Sequence, residues 1–481
     1  MTHGRAARRS AVTLAAVALL AAATEARATW SIVLADERTK EVAVGSVTCL
    51  TGLDLRAITP VVRVGVGAAA CQSAGDFAGV RRPIIDRELM LGTAPDDILV
   101  LLSAVSGHQQ RQYGIVDVQG RATTFTGSQC SAWAGGVTGR AGTLSYAIQG
   151  NILAGGCVVP AAEDAILNTP GDVPAKLMAA MEAARANAGD GRCSCSPATP
   201  TACGCPPPVF TLSGNIGYMI DARPGDTDDT LCDLNGCADG TYCMNLDIAF
   251  SSAADPDPVT RLQLAFDAWR ASLVGQPDSI SSRVMITPAG ADHVVEVDLL
   301  DWQQLPIVAP VTLTVTHEPS SAGIAAIGVP VDLGGGRFSV ALVTQPGTGV
   351  DRYRVDVQGG ACPSVLAPSP ELCFGDPCRC DPGNPSNAPP GLATNLRVAP
   401  GALVTWTAPP GAWTSALHSG AIEELAADRG TGRALCLAFA LSAPSYLDAR
   451  PTPGGSEGYY YLAEGRNACG DGGVGDDSLG V

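Results

Sequence analysis

The residue in this chain best suited to chemistry is Thr29, because of what precedes it. A threonine hydroxyl is a weak nucleophile, but a free α-amine on the same residue can serve as its base. That arrangement needs Thr29 to be a chain terminus, and residues 1–28 supply the means. Arg5, Arg8 and Arg9 form a basic start, residues 11–23 an apolar run, and Ala26-Arg27-Ala28 the small-x-small pattern of a signal-peptide cleavage site. The run falls short of the ~20 residues of a membrane-spanning helix. The expectation is export followed by release, with Thr29 opening a strand that holds its hydroxyl in a fixed place.

Other chemistry finds less support. His108, His293, His317 and His418 are scattered, and no serine or cysteine triad has a local signature. The doublets Cys193-x-Cys195 and Cys203-x-Cys205 have metal-ligand spacing, but in an exported chain such pairs are read as disulfides, and no metal site is expected. The loop with Asp226, Asp228, Asp229, Asp233, Asn235 and Asp239 suggests calcium. Its spacing departs from an EF-hand, because Cys237 takes a ligand position and no glutamate closes the loop. No cofactor is expected, and calcium stays an alternative for that loop. Of the 17 cysteines, 11 lie in residues 29–275 and six beyond, so bridges confined to modules leave one odd thiol in the first.

The elements that would position Thr29 follow from apolar periodicity. Residues 30–35 and 42–48 read as a hairpin, 61–70 as a third strand, and 81–91 and 96–105 as two helices. Strands follow at 113–118, 122–126 and 145–153. Helical residues 158–188 break near Thr169-Pro170-Gly171; strands recur at 215–222 and 245–250 before a helix at 258–273. This order suits a layered α+β domain. Residues 280–360 alternate with period two and read as an Ig-like β-sandwich, residues 361–391 as a Cys/Pro-rich linker, and 392–481 as a second all-β module.

Composition sets the outer limits. Gly 56 and Pro 35 argue for many turns, and a 46% hydrophobic content excludes wholesale disorder. The charge of −17 becomes −20 once residues 1–28 are removed, which disfavours nucleic acid and anionic membrane surfaces as partners. No segment has the length of a membrane span.

Several motifs in register carry a family resemblance: Thr29-Trp30-Ser31-Ile32-Val33, residues 111–117 (RQYGIVD), 126–130 (TGSQC), 146–155 (YAIQGNILAG), 189–193 (GDGRC) and 255–259 (DPDPV). Over about residues 29–272 the chain resembles the domain-of-unknown-function 1028 family, grouped with the N-terminal-nucleophile (Ntn) hydrolases. The resemblance implies an αββα sandwich and amide-bond cleavage by the first residue, here Thr29. Asn151, in the Gln-Gly-Asn motif, would donate to the oxyanion, and Arg111 and Arg192 would bind a substrate carboxylate. Asp36 and Asp117 recur in the family pattern beside turns, where aspartate also bonds its own backbone. A proteasome-type lysine is missing: Gly45-Ser46 occupies the second-strand position, and the nearby lysine is Lys40, in the turn. The final module resembles fibronectin type III-like domains in Leu403-x-Thr405-Trp406 and its late tyrosine-rich strand.

The expected protein is thus an amide hydrolase acting on a small amide or peptide, secreted or periplasmic, or associated with the cell surface. The alternative is a non-catalytic binding protein on the same fold, meeting a cell-surface partner through its β-modules.

Overall fold

The computed structural model describes residues 29–374, apart from 229–231, 234, 235 and 368, together with parts of 393–471. The leader reading, and Asp229 and Asn235 of the calcium reading, lie outside the described residues.

Strand β1 (Thr29–Asp36) is buried along its whole length and pairs antiparallel with β2 (Val42–Thr48) and β8 (Leu144–Asn151). With β7 (Ala134–Ala141), β9 (Ile216–Ala222) and β10 (Met244–Ile248) they form a six-stranded sheet in the order β10-β9-β2-β1-β8-β7. A four-stranded sheet runs β3 (Pro60–Arg63), β4 (Gly67–Ser73), β5 (Arg111–Asp117), β6 (Ala122–Thr126). Helices α1 (Arg81–Met90) and α2 (Pro95–Ser103) fall between β4 and β5. Helices α3 (Val158–Asn168), α4 (Val173–Ala186), the single turn α5 (Gly191–Ser194) and α6 (Pro258–Ser272) complete the domain.

Three apolar clusters show how these parts stack. Alternate residues of a strand face opposite sides, so Trp30, Ile32 and Leu34 pack against Ile166 of α3, Leu177 and Met181 of α4, and Leu262 and Phe266 of α6. Gly45 admits α4 closely, since a Cβ there would sit 2.8 Å from Met181 Sδ. From the other face of β1, Val33 and Ala35 meet Val62, Ala68, Ala70 and Val116 of the second sheet. Beyond that sheet, Val61, Ala69, Tyr113 and Ile115 pack against Ile85 and Leu89 of α1 and Ile98 and Leu102 of α2. The domain is α+β, with its two sheets face to face and helices outside both.

Capping follows local chemistry. Asp172 and Asp257 accept backbone N–H bonds at the starts of α4 and α6, and Asp76 Oδ2 accepts those of Arg81 and Arg82 at 2.9 Å at the head of α1. Two details depart from the sequence reading. Residues 61–70 are not one strand: the chain folds back between β3 and β4. Strand β7, sequence AGGVTGRA, lacks the apolar alternation that would announce it.

The second module is a two-sheet β-structure around Val295, Val297, Phe338, Val340, Tyr353 and Val355. Ser364–Val365 and Glu371–Phe374 pair with its strand Gly349–Gln358, so part of the stretch read as linker joins this module. The last region holds a three-stranded and a four-stranded sheet with Val404, Trp406, Leu417 and Ala463 between them.

Disulfides join Cys49–Cys193, Cys157–Cys205, Cys195–Cys203, Cys232–Cys237 and Cys243–Cys362. The last ties the first module to the second. This overturns the single odd thiol: a bridge that leaves the module strands two thiols there, Cys71 and Cys130. Among the described residues no helix is long and apolar enough to cross a membrane.

Candidate active site at the polar end of the paired sheets

The inward face of β1 is divided. Val33 and Ala35 are apolar, whereas Thr29 and Ser31, at the same phase, are polar and buried. The neighbouring strands divide in the same way. Asn151 stands directly opposite Thr29, and Gln149 opposite Ser31. Directly opposed residues hold their Cβ atoms about 4.5–5.5 Å apart, so the Thr29 and Asn151 side chains share one small volume. On the other side Val47 pairs with Trp30 and Ser46 with Ser31, which brings Thr48 beside Thr29. One end of the inter-sheet space is therefore polar and the other is oily.

Two glutamines from the facing sheet clamp this end. Gln72 Nε2 donates to the Thr29 carbonyl at 2.7 Å and to Gln112 Oε1 at 2.9 Å, and its Oε1 accepts from Ser31. Gln112 Nε2 donates to the Gly150 carbonyl at 2.8 Å and to Thr126 Oγ1 at 2.9 Å. Together they fix the backbones on either side of the Thr29–Asn151 pair. A hydroxyl chain runs sideways: Ser31 and Ser46 Oγ atoms lie 2.6 Å apart, Ser46 is 3.0 Å from the Tyr218 hydroxyl, and Tyr218 is 3.0 Å from Thr59. Burial pushes the Tyr218 phenol well above its ordinary range, so it stays protonated.

Neither lysine is in position to act as base. Lys40 sits in the turn at the far end of β1, donating to the Val118 carbonyl at 3.2 Å. Eight strand residues at ~3.3 Å each separate it from Thr29 by more than ~20 Å. Lys176 is on α4, bonded to the carbonyls of Ile166 and Thr169.

The two arginines part company. Arg192 stands at the Thr29 end, but Asp190 holds its guanidinium at 2.8 and 3.2 Å, and Thr48 Oγ1 lies 3.3 Å away. Asp190 also accepts the Cys49 amide at 2.7 Å, beside the Cys49–Cys193 bridge. Arg192 thus braces the end of β2. Arg111 neighbours Gln112 and so points the opposite way, to the helix-covered side of the four-stranded sheet with Tyr113. The structure does not bring Arg111 and Thr29 together. Asp36 and Asp117 both serve turns, accepting the amides of Arg38 and Thr39, and of Gln119 and Arg121.

Two aspartates of the calcium reading serve the backbone. Asp226 Oδ2 accepts the amides of Arg223 and Cys243 at 2.9 Å, and Asp228 accepts the Val64 amide. Among the described residues no group of three or more His, Cys, Asp or Glu side chains is placed to hold a metal.

Gln72, Gln112, Gln149, Ser46 and Tyr218 were missed from sequence. The available signal was polarity at alternate strand positions, as in Thr29-x-Ser31 and Gln149-x-Asn151.

Residues 29–202 match the model of a family of unknown function (DUF1028), and the match begins at Thr29. A crystal structure of a Silicibacter pomeroyi protein with the same family model is similar at 21% identity, covering 50% of this chain and 88% of that one, with a TM-score of 0.36. The Yersinia pseudotuberculosis adhesin InvE is similar at 14% identity over 31% of this chain and 41% of its own, with a TM-score of 0.16. No curated protein matches the chain.

Proposed function

We propose that this is an exported amide hydrolase of the N-terminal-nucleophile type, with Thr29 as the first residue of the mature chain. On this reading, the helix–sheet–sheet–helix order is the αββα sandwich of that class. The later β-modules, the last fibronectin type III-like, are accessory. The observation that carries the reading is the pairing of Thr29 with Asn151 at the polar end of the sheets, beyond reach of any lysine. The α-amine of Thr29 takes the hydroxyl proton as Oγ attacks the substrate carbonyl. The Asn151 amide donates to the oxyanion. Collapse expels the amine with the proton, and water then hydrolyses the acyl-threonine ester. Gln72 and Gln112 position both partners through the backbone.

The second reading is a non-catalytic secreted binding protein on the same fold. Turnover of N-acylated amino acids and short peptides by the mature chain, read by amine release, decides between them. Thr29→Ala should abolish turnover. Asn151→Ala should lower kcat by ~10²–10³ with KM little changed, as an oxyanion donor acts mainly in the transition state. No turnover across the panel would favour the binding protein.

A further inference from the structure

On the far side of the four-stranded sheet, away from Thr29, positive charge gathers without matching acid. Arg81 and Arg82 are buried at the head of α1, and Arg111 stands half-buried at the start of β5. Asp76 is the carboxylate that answers them. It lies 3.7 Å from Arg81 and 3.6 Å from Arg82, and its oxygens already accept the amides of Val80, Arg81 and Arg82. Asp76 also acts on Arg111 through its charge, but makes no hydrogen bond to its Nε or Nη1. The Nε and Nη1 of Arg111 are both buried, and neither has a hydrogen-bond partner among the described residues. The Nε of Arg81 and the Nδ1 of His108 are also buried without a partner.

The remaining neighbours are uncharged. Burial pushes the Cys71 thiol up to about 12, raises the Tyr113 phenol and lowers the His108 imidazole, the last with help from Arg81. Three guanidinium groups therefore gather around the Asp76 carboxylate in a chain whose formal charge is −17. A buried charged donor without an acceptor costs its full desolvation, and burial and Arg81 together pull the Arg111 pKa down. A planar guanidinium held this way suits an oxyanion better than any other ligand. The place is also walled: the His108 ring stacks on Phe125 at 4.0 Å between centroids, with Tyr113 5.9 Å from Phe125.

We propose that Arg111, with Arg81 and His108, forms a binding site for a small oxyanion, separate from the Thr29 site. A carboxylate and inorganic phosphate share this chemistry, so the test carries an arm for each. The mature full-length chain is titrated at pH 7 with sodium acetate or sodium phosphate, against sodium chloride of equal ionic strength, by calorimetry and thermal melting. Saturable binding is expected in at least one arm, and which arm saturates names the source. Arg111→Gln should weaken it at least tenfold, Arg111→Lys by less, and Thr29→Ala should leave it unchanged. The Arg111 Nε–H resonance of the unmutated protein should move along the same binding curve, a readout that survives if Arg111→Gln fails to fold. Absence of saturation in both arms, or binding that neither moves that resonance nor depends on Arg111, would overturn the proposal.

Discussion

Gly114 offers a test of how the two sheets are held apart. It lies on the inward face of β5, and Gln149 reaches across from β8 to rest on it. A Cβ at Gly114 would stand 2.1 Å from Gln149 Oε1 and 2.8 Å from its Cδ and Nε2. Ordinary contact is about 3.5–4.0 Å, so the overlap exceeds an ångström. Gln149 is fully buried and has little room to yield. Overpacking of this kind costs ~1–3 kcal/mol, against ~0.5–1 kcal/mol gained when Ala replaces Gly in a strand. Gly114→Ala should therefore destabilise by up to about 2.5 kcal/mol, which at ~2–4 °C per kcal/mol lowers the melting temperature by up to about 10 °C. In a Gln149→Ala background the obstacle is gone, and the same change should be neutral or stabilising. Scanning calorimetry of the four proteins in the cycle gives the coupling. If Gly114→Ala stabilises in both backgrounds, Gln149 does not occupy the space assigned to it.

Two further outcomes follow from buried ionisable groups. With its thiol at about 12, Cys71 should resist iodoacetamide in the native protein at pH 8, where only ~10⁻⁴ of it is thiolate; peptide mapping after denaturation without reductant should find both Cys71 and Cys130 alkylated, and prompt native labelling of Cys71 would refute its burial. Burial also raises the Asp226 carboxyl to about 6 against two backbone donors. The folded pKa exceeds the unfolded one, so the stability Asp226 contributes is present at low pH and lost as pH rises towards 6. Asp226→Asn should raise the melting temperature at pH 7 and change it little at pH 4; equal shifts at both would contradict this.

The sequence showed most of the helices and the β1–β2 hairpin because their apolar spacing is local. Thr29 and Asn151 were legible as separate candidates, but their pairing rests on strands more than a hundred residues apart in the chain. The glutamine clamp was not legible at all, since Gln72 and Gln112 meet Thr29 only when one sheet packs on the other. The side of β5 that Arg111 faces was not legible for a related reason. Tyr113 and Ile115 face one side of β5 and Gly114 and Val116 the other, so neither side reads as polar and the strand's phase is silent. Strand β7 went unseen because its glycines erase the alternation, although pairing with β8 makes it regular.

The most direct test of the account is mass spectrometry of the exported protein, before and after exposure to a β-lactone electrophile, with the adduct mapped by fragmentation. The account predicts a chain beginning at Thr29 that takes one label on that residue, and no label in Thr29→Ala. A mature chain beginning at any other residue, or one beginning at Thr29 that stays unlabelled, would contradict the assignment of Thr29 as the nucleophile.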